Sequence, residues 1–202
     1  MKPYRLFLLP VFLLAGAVGP TRDLYLLSSE YTVTIDGTSN LRDWKESIDT
    51  VSGTMEAQVN PDGSIGLNTI RICMKVMSIK SDMGRVMEKK TYEALKANAH
   101  PEIVFTLSTP VNLTPVRNAG TAISVSGNLL LAGVSKPVTM LVKTFEISQG
   151  KLQFEGYQHL KMTDFGVRPP TALFGTMRAS ADITIHFKTN FINQRVSNNL
   201  KN

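Results

Sequence analysis

Apolar and polar residues alternate with a period of two in four separate segments of the chain. The clearest is 70–76, where the even-numbered residues are apolar and Arg71 and Lys75 lie between them. The same alternation recurs at 102–108, 123–131 and 177–188. This period is typical of strands that bury one face and expose the other to solvent.

Turn sequences separate these alternating segments. They are rich in Gly, Pro, Asn and Asp, and occur at 60–63, 117–120, 133–137 and 149–150. Short strands punctuated in this way predict hairpins rather than crossover connections. We therefore expect a mainly β protein, an antiparallel meander that closes as a barrel or a sandwich.

One segment departs from the alternation and predicts a single helix. Ser81 or Asp82 is a suitable cap, and the segment ends near 100–101 because Pro101 follows His100. Its apolar residues have helical spacing: Met83, Val86, Met87, Ala94 and Leu95. Such a helix must lay its apolar face on the sheet or over a barrel mouth, where it could serve as a lid.

The N-terminus has the pattern of a secretory signal at 1–17. Lys2 and Arg5 precede the apolar run 6–14, and three small residues follow, so we expect cleavage after Ala17. The run is shorter than the roughly 20 residues that span a bilayer; a retained anchor and a buried N-terminal strand are the alternatives. We expect an exported protein, periplasmic or extracellular, with no membrane span after cleavage.

The remaining residues suit one domain. We expect an N-terminal lead-in at 18–30, the β domain at 31–189, and a polar, flexible tail at 190–202, since that last segment lacks periodicity.

Charge and motifs exclude several classes of function. The formal net charge is +6, but no dense run of Lys and Arg marks a nucleic-acid surface. Phosphate-binding loops, dinucleotide fingerprints and nucleophile elbows are missing from the sequence, so we expect no enzyme and no cofactor. His100, His159 and His186 are far apart, which disfavours a metal site. Cys73 is the only cysteine, so no disulfide can form within the chain.

Methionine is the informative component of the composition. The chain has nine Met and nine Phe residues. Flexible Met side chains can line a cavity that adapts to an apolar ligand, or they can fill a core with no cavity. An eight-stranded barrel accommodates either arrangement, so the residues alone leave both open.

The order of the segments resembles the YceI-like family across most of the chain. Four places carry the resemblance: YTVTIDGTSNLRDW at 31–44, the helix and Pro-x-Ile-x-Phe strand within 83–105, GNLLLAGVSKPV at 127–138, and DFGV at 164–167. The resemblance implies a single lipocalin-like antiparallel barrel of about eight strands with one inserted helix. It also implies bacterial export and a bound isoprenoid or amphiphilic lipid, with a quinone-like lipid among the candidate ligands. Arg42 departs from the family, where many relatives have His.

The resemblance and the phase of the strands give a candidate ligand-binding set beneath the helix. Its members are Trp44, Met74, Val76, Met83, Met87, Phe105, Leu129, Leu131, Phe154 and Phe165. Trp44 could wall this pocket or simply hold the turn to the barrel.

Two rival functions stay open. The first is a solid barrel that acts as an envelope scaffold through surface residues such as Lys89, Lys90 and Lys136. The second is an enzyme on lipid headgroups that uses Asp43, Asp164 or His100. A homodimer is compatible with any of these functions.

Overall fold

The computed structural model describes residues 22–60, 62, 64–114, 121–148 and 150–195. The predicted signal and its cleavage site lie outside these ranges. The strands are β1 (Asp23–Leu27), β2 (Thr32–Ser39), β3 (Trp44–Ile48), β4 (Val51–Val59), β5 (Ile65–Lys75), β6 (Ile79–Ser81), β7 (Glu102–Leu107), β8 (Val111–Leu113), β9 (Thr121–Leu131), β10 (Val134–Ser148), β11 (Lys151–Lys161), β12 (Thr171–Ala172) and β13 (Met177–Asn193). One helix, α1 (Arg85–Ala94), and 3-10 turns at Val76–Ser78, Met162–Phe165 and Leu173–Gly175 complete the described elements.

The sheet is antiparallel and closes on itself, which confirms the predicted mainly β barrel. β1 pairs with both β4 and β13, and the remaining order runs β4, β5, β7, β9, β10, β11, β13. β2 pairs with the first half of β13, whereas β1 pairs with its last residues. β3 pairs with β2, and β6 pairs with β3, so β2, β3 and β6 occupy the same positions in the barrel as β1, β4 and β5. The barrel therefore has eight strand positions, three of which are bent into two strands each.

The inserted helix lies at the barrel end where β6 is found. It connects β6 to β7, and these two strands are not paired with each other in the described part of the sheet. The helix buries Met87 and Thr91, and Leu95, which follows it, is also buried. These positions are about one turn apart, so one face of α1 packs over the end of the barrel.

The predicted beginning of the helix is wrong. Gly84 is the N-cap residue, with a positive φ of 82° that reverses the chain direction after β6. Ser81 cannot cap the helix because it is the last residue of β6. Met83 precedes the helix, and Val86 lies on its solvent face with 69% of its surface exposed.

The predicted boundaries of the β domain are also too narrow. β13 continues to Asn193, and the β1 strand within the supposed lead-in closes the barrel. The Asn190 side-chain amide donates to the Glu30 carbonyl at 2.8 Å, and the Asn193 amide donates to the Asp23 carboxylate at 3.0 Å. Asn190 and Asn193 are buried and their side chains are hydrogen-bonded, so a polar composition at this end of the chain is compatible with a strand of the barrel. Residues 196–202 lie outside the described ranges.

A glycine permits close packing between β7 and β9. A Cβ atom at Gly127 would lie 2.6 Å from the Thr106 carbonyl oxygen and closer still to the ring of Phe105. No side chain fits there without movement of the backbone of β7.

Gly127→Ala is expected to lower the free energy of unfolding by about 2 kcal/mol, because the new methyl group meets the β7 backbone at Thr106 as well as the buried Phe105 ring, so moving one side chain cannot relieve the clash. Urea unfolding measures the change. The matched control is Gly66→Ala in β5, where a Cβ atom would lie 3.6 Å from its nearest neighbour and should cost little. Equal effects of the two substitutions would contradict this explanation.

Candidate functional site

The barrel encloses an apolar cavity of about 100 Å³, which we call the inner cavity. Inward-facing residues of β2, β5, β7, β9, β10, β11 and β13 line it, and Gln158 and Thr189 are the two polar residues among them. The Thr189 hydroxyl donates to the Phe154 carbonyl at 3.5 Å. The remaining lining is aliphatic, aromatic or methionine, so the inner cavity suits an apolar molecule.

A second cavity of about 60 Å³, the helix cavity, lies between the barrel end and α1. Thr91, Ala94 and Leu95 line it from the helix side. It shares three lining residues with the inner cavity: Met74, Leu129 and Ile185. These three side chains therefore form the partition between the two cavities.

An open cleft on the surface adjoins the helix cavity. Trp44, Leu160 and Ile183 line both, so these three side chains separate the helix cavity from solvent. The titratable lining of the cleft is mostly acidic, with five aspartates against two lysines and one histidine: Asp36, Asp43, Asp82, Asp164, Asp182, Lys45, Lys161 and His159. From solvent to the barrel interior, the order in space is thus the cleft, the helix cavity and the inner cavity.

Trp44 is fixed at this position by a glycine and a hydrogen bond. Its indole ring lies against Gly37 on the paired strand, where a Cβ atom would come within 2.5 Å of the ring atom Cε2. The indole Nε1 donates to the Thr38 carbonyl at 3.0 Å. The ring therefore forms a wall of the helix cavity and also holds β3 against β2.

The ten predicted ligand-binding residues fall into two groups. Six line a cavity: Met74, Phe105, Leu129 and Phe154 the inner one, and Trp44, Leu131, Met74 and Leu129 the helix cavity. Four line neither cavity: Val76, Met87 and Phe165, which are buried elsewhere, and Met83, which is half-buried before the helix. Val76 and Phe165 lie in 3-10 turns, where a period of two no longer places side chains inward.

The prediction overlooked two polar residues of the helix cavity, Glu46 and Thr91. Glu46 is 5% exposed, and its Oε1 accepts a hydrogen bond of 2.6 Å from the Thr91 hydroxyl. The sequence does contain a signal for Glu46, which shares the apolar phase of β3 with Trp44 and Ile48.

The environment of Glu46 favours its neutral form. Burial is the main cause that raises its pKa from 4.5 to about 7; the hydrogen bond from Thr91 acts in the opposite direction, and Asp82 and Glu88 add smaller increases. The neighbouring cations are engaged elsewhere, because Lys45 pairs with Asp36 at 3.4 Å and Lys80 pairs with Glu88 at 3.7 Å. A carboxyl buried without a cation can both donate and accept hydrogen bonds at neutral pH.

Other chemistry is sparse over the described ranges. No group of three or more His, Cys, Asp or Glu side chains in them is arranged to hold a metal ion. The helices described in this chain are all too short or too polar to cross a bilayer. His159 and His186 are exposed on the outer face of the barrel. Of the residues considered for headgroup chemistry, Asp43 and Asp164 lie in the cleft, whereas His100 packs against Gly133.

Solved structures share this fold. A polyisoprenoid binding domain from Saccharophagus degradans superposes with a TM-score of 0.66 at 12% identity, covering 86% of this chain and 99% of that one. BcnA of Burkholderia cenocepacia gives 0.57 at 17% identity, with coverages of 79% and 95%. The YCEI protein of Campylobacter jejuni gives 0.52 at 18% identity, with coverages of 72% and 82%. No curated protein matches the sequence.

The sequence of this chain also matches a protein family directly. The matching family model is that of the YceI-like domain, and the match covers residues 28–191. That range begins just before β2 and ends within β13, so it includes both cavities and α1. The chain belongs to the YceI-like domain family.

Proposed function

We propose that this protein binds a long apolar ligand, an isoprenoid or another amphiphilic lipid, inside the barrel and acts as a carrier rather than an enzyme. The observation that carries the proposal is the succession of two apolar cavities behind a surface cleft. The similar domain from Saccharophagus degradans is described as polyisoprenoid binding, which supports the same ligand class here.

The volumes of the cavities require the lining to move when a ligand enters. Together the cavities are smaller than the about 300–1,000 Å³ of most ligand sites. Met74 lies in the partition between them and Met140 lines the inner cavity, and methionine side chains change rotamer at low cost. Rotation of Met74 away from Leu129 and Ile185 would join the cavities into one tunnel. Each square ångström of apolar surface then buried contributes about 25 cal/mol.

The ligand would enter past Trp44. This ring, with Leu160 and Ile183, is the layer between the cleft and the helix cavity. A chain that passes it meets the helix cavity first and the inner cavity second. The tunnel of this proposal thus lies partly beneath α1, as the sequence suggests, but opens beside the helix at the turn between β2 and β3.

Export of the protein to the periplasm is part of the proposal. It rests on the signal pattern at 1–17, whose charged, apolar and small-residue regions occur in the order that a secretory signal requires. A lipid carrier in that compartment would shield an apolar chain from water.

The test is native mass spectrometry of the protein purified from the bacterial envelope, comparing wild type with two variants of β10. Val142 lines the inner cavity, so Val142→Phe fills much of a volume of about 100 Å³. We expect this change to raise the dissociation constant for lipid about tenfold, equivalent to 1.4 kcal/mol of binding free energy, and so to lower the fraction of protein that carries lipid. Leu141→Phe, at the adjacent exposed position, should leave occupancy unchanged.

A second candidate function, a solid barrel that binds partners through its surface, is favoured by the small volumes of the cavities. Lys89 and Lys136 are exposed and would serve such a surface. Wild-type protein that carries no lipid, and that binds no isoprenoid added to it, would overturn the carrier proposal and favour the solid barrel.

A further inference from the structure

The helix cavity combines an apolar wall with one buried carboxyl and one buried hydroxyl. Glu46 projects from β3 and Thr91 from α1, and they meet at 2.6 Å across the cavity wall. The other lining residues are aliphatic, methionine, proline or tryptophan. A ligand in this cavity therefore meets hydrogen-bonding side-chain oxygens at one place.

We propose that Glu46 and Thr91 form the head-group subsite of the tunnel and select an isoprenoid with an uncharged hydroxyl head over the phosphate ester of the same chain. The inference rests on the proposed function, since it assumes that the tail occupies the inner cavity. It adds which end of the ligand lies in which cavity and which head group is accepted.

The position of the subsite fits a head group rather than the middle of a chain. The helix cavity lies between the cleft and the inner cavity, because it shares lining residues with both. A head oxygen beside Glu46 leaves the tail directed past Met74 into the inner cavity. The reverse orientation would place hydrocarbon beside the buried Glu46 carboxyl and would bury the polar head in the mainly apolar inner cavity, where the Thr189 hydroxyl is already bonded to the Phe154 carbonyl.

A hydroxyl matches Glu46 in either protonation state. It accepts a hydrogen bond from the protonated carboxyl and donates one to the ionised carboxylate, so its hydrogen bonding is satisfied in both cases. A hydrocarbon leaves the second carboxyl oxygen without this partner. A buried polar group gains most from a partner when it is shielded from bulk solvent, and Glu46 is only 5% exposed.

A phosphate is disfavoured by the charges around the subsite. Asp82 and Glu88 act on Glu46 from the side of β6 and α1, and Asp36 of β2 and Asp164 of the 162–165 turn line the adjoining cleft. The lysines of β3 and β6, Lys45 and Lys80, are paired with Asp36 and Glu88. Lys161 and His159 also line the cleft, but five aspartates outnumber them there. A phosphate beside Glu46 would therefore be a buried anion among carboxylates, which is costly unless a cation accompanies it.

The experiment measures binding of three probes with the same C20 chain: geranylgeraniol, its monophosphate and the hydrocarbon that lacks the oxygen. Trp44 is the only tryptophan and lines the helix cavity, so its fluorescence reports occupancy. We expect wild-type protein to bind the alcohol about tenfold more tightly than either other probe, the discrimination of one well-formed hydrogen bond to a carboxyl group.

The variants assign this preference to the subsite. Glu46→Leu should bind the alcohol and the hydrocarbon equally, whereas Glu46→Gln should keep most of the preference because an amide also donates and accepts. Thr91→Val, of similar shape, should weaken alcohol binding by a smaller factor. Glu88→Gln changes a charge outside the cavity lining and should retain the preference for the alcohol over the hydrocarbon.

The outcomes separate the inference from the function beneath it. If no probe binds wild-type protein, the lipid-binding proposal fails. If the alcohol and hydrocarbon bind wild-type protein equally tightly, or the phosphate binds as tightly as the alcohol, the function stands and the head-group inference is overturned. Should Glu46→Leu fail to fold, Thr91→Val decides the inference. An alcohol preference that is smaller in Thr91→Val than in wild type supports the subsite, and an alcohol preference equal to that of wild type overturns it.

Discussion

Replacing Phe191 by alanine is expected to lower the free energy of unfolding by about 3–5 kcal/mol, the usual cost of removing a buried phenylalanine. Phe191 is 1% exposed and its ring meets that of Phe154 edge to face, with centroids 5.8 Å apart. It also pairs with Leu27 where β13 meets β1. The substitution therefore leaves a hole at the junction that closes the barrel.

Phe174→Ala is the matched control for this prediction. Phe174 is fully exposed in the turn before β13, so the same truncation removes no buried surface. The free energies of unfolding of Phe191→Ala and Phe174→Ala, both measured in urea, should differ by most of the loss expected for Phe191→Ala. A Phe191→Ala protein with wild-type stability would mean that the last residues of β13 do not contribute to the stability of the barrel. The polar composition of 190–202 suggests that result from the sequence alone.

The second large effect is the pH dependence of stability that Glu46 causes. Its pKa is about 7 in the folded protein and near 4.5 when exposed, so the folded state holds the proton more tightly. The resulting stabilisation is fully present below pH 4.5 and is lost as the pH rises through 7. Between pH 4 and pH 8.5 the loss from this group amounts to about 3 kcal/mol.

Glu46→Gln isolates this contribution, since the amide keeps the shape of the side chain but does not titrate. Urea unfolding at several pH values between 4 and 8.5 should show the variant gaining stability relative to wild type as the pH rises. Exposed groups such as Glu102, whose pKa is lowered by the hydrogen bond from Lys75, act in both proteins and cancel in the comparison. Parallel pH profiles would show that Glu46 ionises with an ordinary pKa.

Alternation was sufficient to predict the regular part of this fold. β7, β9 and β13 follow the apolar and polar phases of 102–108, 123–131 and 177–188, and the closed barrel with one helix is as expected. Periodicity fails where strands bend or turn, as at Val76. It also fails where polar residues are buried with their hydrogen bonds satisfied, as at Asn190 and Asn193.

The candidate site was harder to predict because a cavity depends on distances between strands. Strand phase indicates that Met74 and Leu129 point inward, but not that they form a partition between two cavities. Met87 has the same helical phase as Thr91 and Leu95, which line the helix cavity, yet it lines neither cavity. Glu46 lies outside the predicted set because the alternation in β3 does not by itself distinguish a buried carboxyl from an exposed one.

The closure of the sheet by its first and last described strands has a consequence for how the protein folds. Tyr25 of β1 is paired with Asn193 of β13, so the contact that completes the barrel joins residues at nearly opposite ends of the described chain. Non-local pairing of this kind slows folding to the range of milliseconds to seconds. Until β13 joins the sheet, β1, β2 and β11 each lack a neighbour on one side, and the incomplete barrel presents open sheet edges. Folding of this domain therefore cannot be completed before β13 is in place, and the incomplete barrel is the state most exposed to aggregation.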